Sequence, residues 1–185
     1  MFRRMVILNM LLLLFLLTAC SPWKGGENTT RPRVTILAKG FEIPAAVNPA
    51  EDGESGREHR KEQYRVLIEQ TKEAEIPYVQ LGETVEILLG EELSADYVLT
   101  DVILLPDGGY KYKMPDNGPE TVVIREGSGA FELGINPAAF LSSNTADYEP
   151  GATIRGFCLK GLSGGEQQEI FFVLRTDAGS VGPSL

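Results

Sequence analysis

Reactive side chains are scarce in this chain. Its 185 residues include one histidine and two cysteines, Cys20 and Cys158. A zinc site, built from Cys, His and acidic ligands, has little to draw on. A Ser–His–Asp triad would have to use His59, which sits among Arg57, Glu58, Arg60 and Lys61 on what reads as a solvated charged face. Ser163 alone stands at Gly-x-Ser-x-Gly spacing, in Gly161-Leu162-Ser163-Gly164-Gly165, but it lies between two β runs and not at a strand-to-helix turn, and no glycine-rich loop ends in Gly-Lys-Ser/Thr, so neither an esterase nucleophile nor a nucleotide site is written here. Positive charge is also short: 17 Lys and Arg stand against 26 Asp and Glu, a net charge of −9. Phosphate backbones are gripped by Lys and Arg, so nucleic acid is not an expected partner. The same deficit gives the surface no pull toward anionic headgroups. The one tryptophan, Trp23, falls in a polar segment and cannot pin a core.

Only one long apolar run is present. Met5 to Leu17 is interrupted by Asn9 alone, follows Arg3 and Arg4, and ends at the small residues Thr18 and Ala19. A positive end, an apolar middle and small residues at the end are the three parts of a secretory signal. The run is shorter than the roughly 20 residues that span a bilayer, and Pro22, Gly25 and Gly26 would break a helical continuation. Leu17-Thr18-Ala19-Cys20 resembles the lipobox of bacterial lipoproteins. That resemblance implies cleavage between Ala19 and Cys20, removal of residues 1–19, and acylation (palmitate or a similar chain) at Cys20. Two acyl chains hold a protein at a membrane where one leaks off. The expected address is extracytoplasmic, with the membrane as a partner through the lipid alone. With Cys20 acylated, the fold is not expected to depend on an internal disulfide.

Residues 20–33 are polar and rich in Gly, Thr and Pro, and read as a tether reaching about 40 Å at full extension. Val34 to Ala38, a turn at Lys39-Gly40 and Phe41 to Ile43 suggest a hairpin. A loop over Asn48–Gly56 leads into the one helical stretch, Arg57 to Glu75, where Tyr64, Leu67, Ile68 and Thr71 fall at i, i+3, i+4 and i+7. It is expected to be a short helix over one end of a sheet, stopped by Pro77. From Ile76 the text is β. Thr84–Leu89 alternates; Tyr97–Leu105 is a long apolar run stopped by Pro106-Asp107-Gly108-Gly109; Asn117-Gly118 signals another turn. Thr121–Arg125 follows, and Phe131, Leu133 and Ile135 alternate cleanly with Glu132 and Gly134. Asn136 and Pro137 read as cap and first residue of one helical turn. Thr153–Lys160 and Glu169–Arg175 close the sequence of strands, and the tail from Asp177 reads as frayed. Strict alternation from Ile154 would turn Gly156, Cys158 and Lys160 inward, and a buried lysine is costly. A bulge at Gly156 is therefore expected, which sends Phe157 and Leu159 inward and leaves the Cys158 thiol partly accessible. Leu162-Ser163-Gly164-Gly165-Glu166-Gln167-Gln168 is similar to the signature of ABC transporter ATPases, but it lies between two β runs and reads as a hairpin.

Strands at this spacing, parted by turn signals, indicate a mainly β fold: an antiparallel immunoglobulin-like β-sandwich with one short helix after an N-terminal hairpin. Strand lengths and the Pro150-Gly151 corner resemble immunoglobulin-like and fibronectin type III-like domains. Ile76-Pro77-Tyr78 with Leu81 to Ile87, and Leu141-Ser142-Ser143-Asn144 through Arg155-Gly156-Phe157, are similar to surface lipoproteins of Bacillus type, over roughly Val34 to Asp177. That resemblance implies fold and address, and no activity. The expected organisation is signal peptide 1–19, tether 20–33, one domain over 34–177 (hairpin, loop and helix to 75, immunoglobulin-like core from 76) and a flexible tail over 178–185.

Asp96, Asp101, Asp107, Asp116, Asp147 and Glu149 are scattered and form no Asp-x-Asp-x-Asp-Gly loop, although loops at one end of a sandwich could bring some together around calcium. No cofactor, metal or catalytic residue is expected. Tyr97, Tyr110, Tyr112 and Tyr148 are the better candidates, with Tyr110 and Tyr112 beside a turn where aromatics suit a protein or glycan ligand; packing at the sheet rim is their plainer role. The expected function is a non-enzymatic binding or interaction module of the cell envelope. An envelope hydrolase with paired carboxylates is the alternative, and a purely structural domain the third reading. Metabolic labelling with a fatty-acid analogue should mark the chain, and Cys20→Ala should abolish the label; a labelled Cys20→Ala chain would contradict the lipobox reading.

Overall fold

A computed structural model of the protein describes residues 34–72, 75–90, 94–112, 119–163 and 165–179. The leader, Ala19, Cys20, Trp23 and the Asn117-Gly118 turn lie outside the described residues. Strands β1 (Val34–Ala38), β2 (Phe41–Ile43) and β3 (Ala45–Pro49) come first, then helix α1 (Gly53–Thr71). Next are β4 (Thr84–Leu89), β5 (Ala95–Leu104), β6 (Glu120–Ile124) and β7 (Ser128–Glu132). Two 3-10 turns, Pro137–Leu141 and Thr145–Tyr148, precede the long hairpin of β8 (Thr153–Ser163) and β9 (Glu166–Thr176). The strands form two sheets, in the order β2-β1-β4-β7 and β3-β9-β8-β5-β6, with antiparallel pairing between neighbours. The mainly β sandwich expected from the sequence is what the chain adopts.

Two tight turns between strands use the turn chemistry that right-handed strand twist demands. Lys39 and Gly40 both take positive φ between β1 and β2, as do Glu126 and Gly127 between β6 and β7. The β8–β9 hairpin closes with Ser163 opposite Glu166, and Gly165 at φ +87°. The ATPase-like run is therefore strand and turn.

The five-stranded sheet is buried on both faces, and this overturns one expectation. Its inner face, with Tyr97, Leu99, Phe157, Leu159, Ile170 and Phe172, packs against Ile36, Val85, Ile87 and Phe131 of the other sheet. Phe157 and Phe172 stack with centroids 4.9 Å apart. Its outer face carries Ile154, Cys158, Phe171 and Val173, and α1 lies across it with Tyr64, Leu67 and Ile68. Pairing along β8 runs without a break from Thr153 to Ser163, so no bulge stands at Gly156. The bulge was expected to keep Lys160 out of an apolar interior. Instead Lys160 sits at the margin of the outer face, partly exposed, with its ammonium 2.7 Å from Asp52. Gly156 serves a different purpose: a Cβ there would come within 2.8 Å of the Tyr64 ring, so its bareness is what seats the helix. Cys158 does face away from the sandwich interior, yet it is only 3% exposed because α1 covers it.

The helix also departs from expectation. It starts four residues earlier than Arg57, ends at Thr71, and spans 19 residues across the sheet face rather than a short piece over its end. The turn after β5 docks on it: Gly108, at φ +80°, lies so close to Arg65 that a Cβ would meet backbone at 2.5 Å. Residues 34–75 are integral to the domain, since β1 pairs with β4 and β3 with β9. The tail is tied down as far as the described residues go. Tyr78 Oη donates to Asp177 at 2.9 Å, the Gly151 amide donates to Asp177 at 2.9 Å, and Ala178 is buried. No helix among the described residues is long and apolar enough to cross a membrane.

Phe172→Ala removes a ring stacked between two sheets and should cost about 3–5 kcal/mol in urea unfolding. Cys158 should resist alkylation in the folded protein and react only at the rate of unfolding, whereas prompt labelling under native conditions would contradict its burial beneath α1.

Candidate functional site

Alternation along β5 turns Tyr97, Leu99, Asp101 and Ile103 toward the sandwich interior. An acid at such a position is costly unless paired. The partner comes from β8, where the same parity turns Arg155 inward one strand away. The two side chains, 4% and 9% exposed for Arg155 and Asp101, form an ion pair between Nη2 and Oδ2. Asp101 Oδ1 accepts from Asn136 Nδ2, so both carboxylate oxygens are occupied. Asn136 does two things at once, because its own Oδ1 accepts from the Ala138 amide at 2.9 Å and caps the first 3-10 turn. Arg155 Nη1 donates to the Gly134 carbonyl at 2.6 Å, and its Cζ stands 5.0 Å from the Phe157 ring centroid. The Nε–H has no acceptor. Burial pushes the Arg155 guanidinium down to about 10, which still leaves it charged at neutral pH.

This network forms the floor of an open cleft of about 120 Å³ where the two sheets part. Glu120 and Glu132 stand at its mouth, and Phe131, Ile135, Leu99 and Phe157 complete the lining. Ile135 was expected to continue the inward alternation of Phe131 and Leu133. Strand β7 ends at Glu132, and Ile135 turns out to be 45% exposed on the cleft wall.

A second buried ion pair holds the helix. Glu169 of β9 is fully buried, and Arg60 Nη1 reaches it at 2.9 Å. The neighbouring His59 is not on a solvated face as the sequence suggested. Its ring meets Phe171 edge-on at 6.2 Å, and its Nε2 is buried without a hydrogen-bond partner.

The structure disperses the tyrosines that the sequence singled out. Tyr97 is core. Tyr110 is half-buried, edge-on to Tyr64 at 6.3 Å beside the helix interface. Tyr112 is half-buried against Ile103, Ala139 and Ala178, with Lys111 Nζ 6.0 Å from its ring centroid. Both occupy rim-packing positions. Tyr148 is 43% exposed, but its hydroxyl donates to the Ser142 carbonyl at 2.7 Å. The scattered acids do not converge either. Asp96 faces Arg125 at 3.4 Å, Asp107 accepts from the Gly109 amide, and Asp147 takes Lys111 at 2.5 Å and Ser142; Asp116 lies outside the described residues. Lys111, then Ser142, hold the Asp147 carboxyl below the usual carboxylate range.

Comparison of the chain with family models, with curated proteins and with solved structures finds no match.

The Arg155–Asp101 pair was missed in the sequence, although each is a lone charge at inward parity in an apolar strand. Removing one partner strands the other, so Asp101→Ala should cost about 3–5 kcal/mol in denaturant unfolding. The joint change Asp101→Leu with Arg155→Met should cost clearly less than Asp101→Ala alone; equal losses would contradict a desolvated pair. For Asp147, a carboxyl held low in the folded state stabilises above its unfolded value, about 3.9, and the contribution fades as pH falls below that. Protection factors of the amides across 142–148, taken against the intrinsic rate at each pH, should fall on that acid limb, and in Asp147→Asn the fall should be flattened.

Proposed function

We propose that this chain is a lipid-anchored extracytoplasmic protein whose β-sandwich is a non-enzymatic binding module of the cell envelope. The observation that carries the reading is the condition of Asp101. Both of its oxygens are engaged inside the fold by Arg155 and Asn136, so the one acid at the cleft floor serves as a structural counter-ion. A paired-carboxylate hydrolase needs two acids in contrasting environments on either side of a scissile bond. Glu120 and Glu132 are both exposed, and their registers, opposite inward Leu99 and opposite exposed Thr84, set them on different faces and not across a common bond.

Surface chemistry supports the same reading. Phe140 and Leu141 are each 53% exposed on the loop that follows the cleft wall, close in sequence to exposed Ile135. Exposed apolar residues gathered on one segment suit a partner surface. The pairing order supports the finer immunoglobulin-like assignment. The run β9-β8-β5, facing β4 and β7, matches how such domains arrange their G, F and C strands against B and E. Strands β2 and β3 and helix α1 are then insertions after the first strand. The address rests on Leu17-Thr18-Ala19-Cys20 and the polar tether behind it.

Purified chain incubated with solubilised cell envelope should retain a specific partner, and Phe140→Ser with Leu141→Ser should release it without altering thermal melting. Release of soluble fragments from a wall polymer by the chain alone would overturn the reading in favour of an enzyme.

A further inference from the structure

We draw no further inference here: the strongest candidate, the exposed apolar patch of Phe140, Leu141 and Tyr148 on the two 3-10 turns between β7 and β8, is an unpartnered face, and nothing in the structure shows what covers it.

Discussion

The β8–β9 ladder is the constraint on which the rest of the molecule depends. Its pairing runs from Thr153–Thr176 to Ser163–Glu166 without a break, at the middle of a five-stranded sheet. Phe157 and Phe172 stack on one face and are closed in by Phe131. Phe171 meets Tyr64 edge-on at 5.7 Å on the other. Each such ring contributes roughly 1.5–3 kcal/mol by burial alone. With both faces dry, neither a slipped register nor a bulge leaves β8 a solvent face to use, and side-chain parity becomes absolute.

Charges inside this apolar framework obey one rule. Each is met by an opposite charge from a different element: Asp101 on β5 by Arg155 on β8, Glu169 on β9 by Arg60 on α1. Such pairs add little net stability over well-packed apolar residues, but breaking one is expensive. Their effect here is to fix geometry. Arg60 sets where the helix lies across the sheet. Arg155 and Asn136 tie the loop from Gly134 to Ala138 to the sheet and so hold the cleft open. The cleft is thereby built on strands and a capped turn.

Much of this was readable from local pattern. Thr84–Leu89 emerges with the bounds and the buried face that its alternation indicated, and the Lys39-Gly40 turn and the Asn136 cap are where turn and cap chemistry placed them. The failures share a physical origin. Periodicity tells which residues share a face, but not what covers that face. A bulge was expected at Gly156 and a partly accessible thiol at Cys158 because a buried Lys160 is costly, and the helix that covers that face is far away in sequence. His59 looked solvated among charged neighbours, whereas the helix turns its ring onto Phe171. Asp101 and Arg155 are 54 residues apart, and only the pairing of β5 with β8 brings them together. The tyrosines were marked by their place beside turns, and burial at the rim is decided by the third dimension.

The molecule thus joins a sheet covered on both faces, a buried ion pair between β5 and β8 and a shallow cleft beside that pair. Native-state amide hydrogen exchange probes its foundation most directly. The amides of Phe157, Leu159, Phe171 and Phe172 should be the slowest in the molecule and should exchange only through global unfolding. Exchange at those positions as fast as at the edge strands β2 and β6 would contradict the doubly covered ladder.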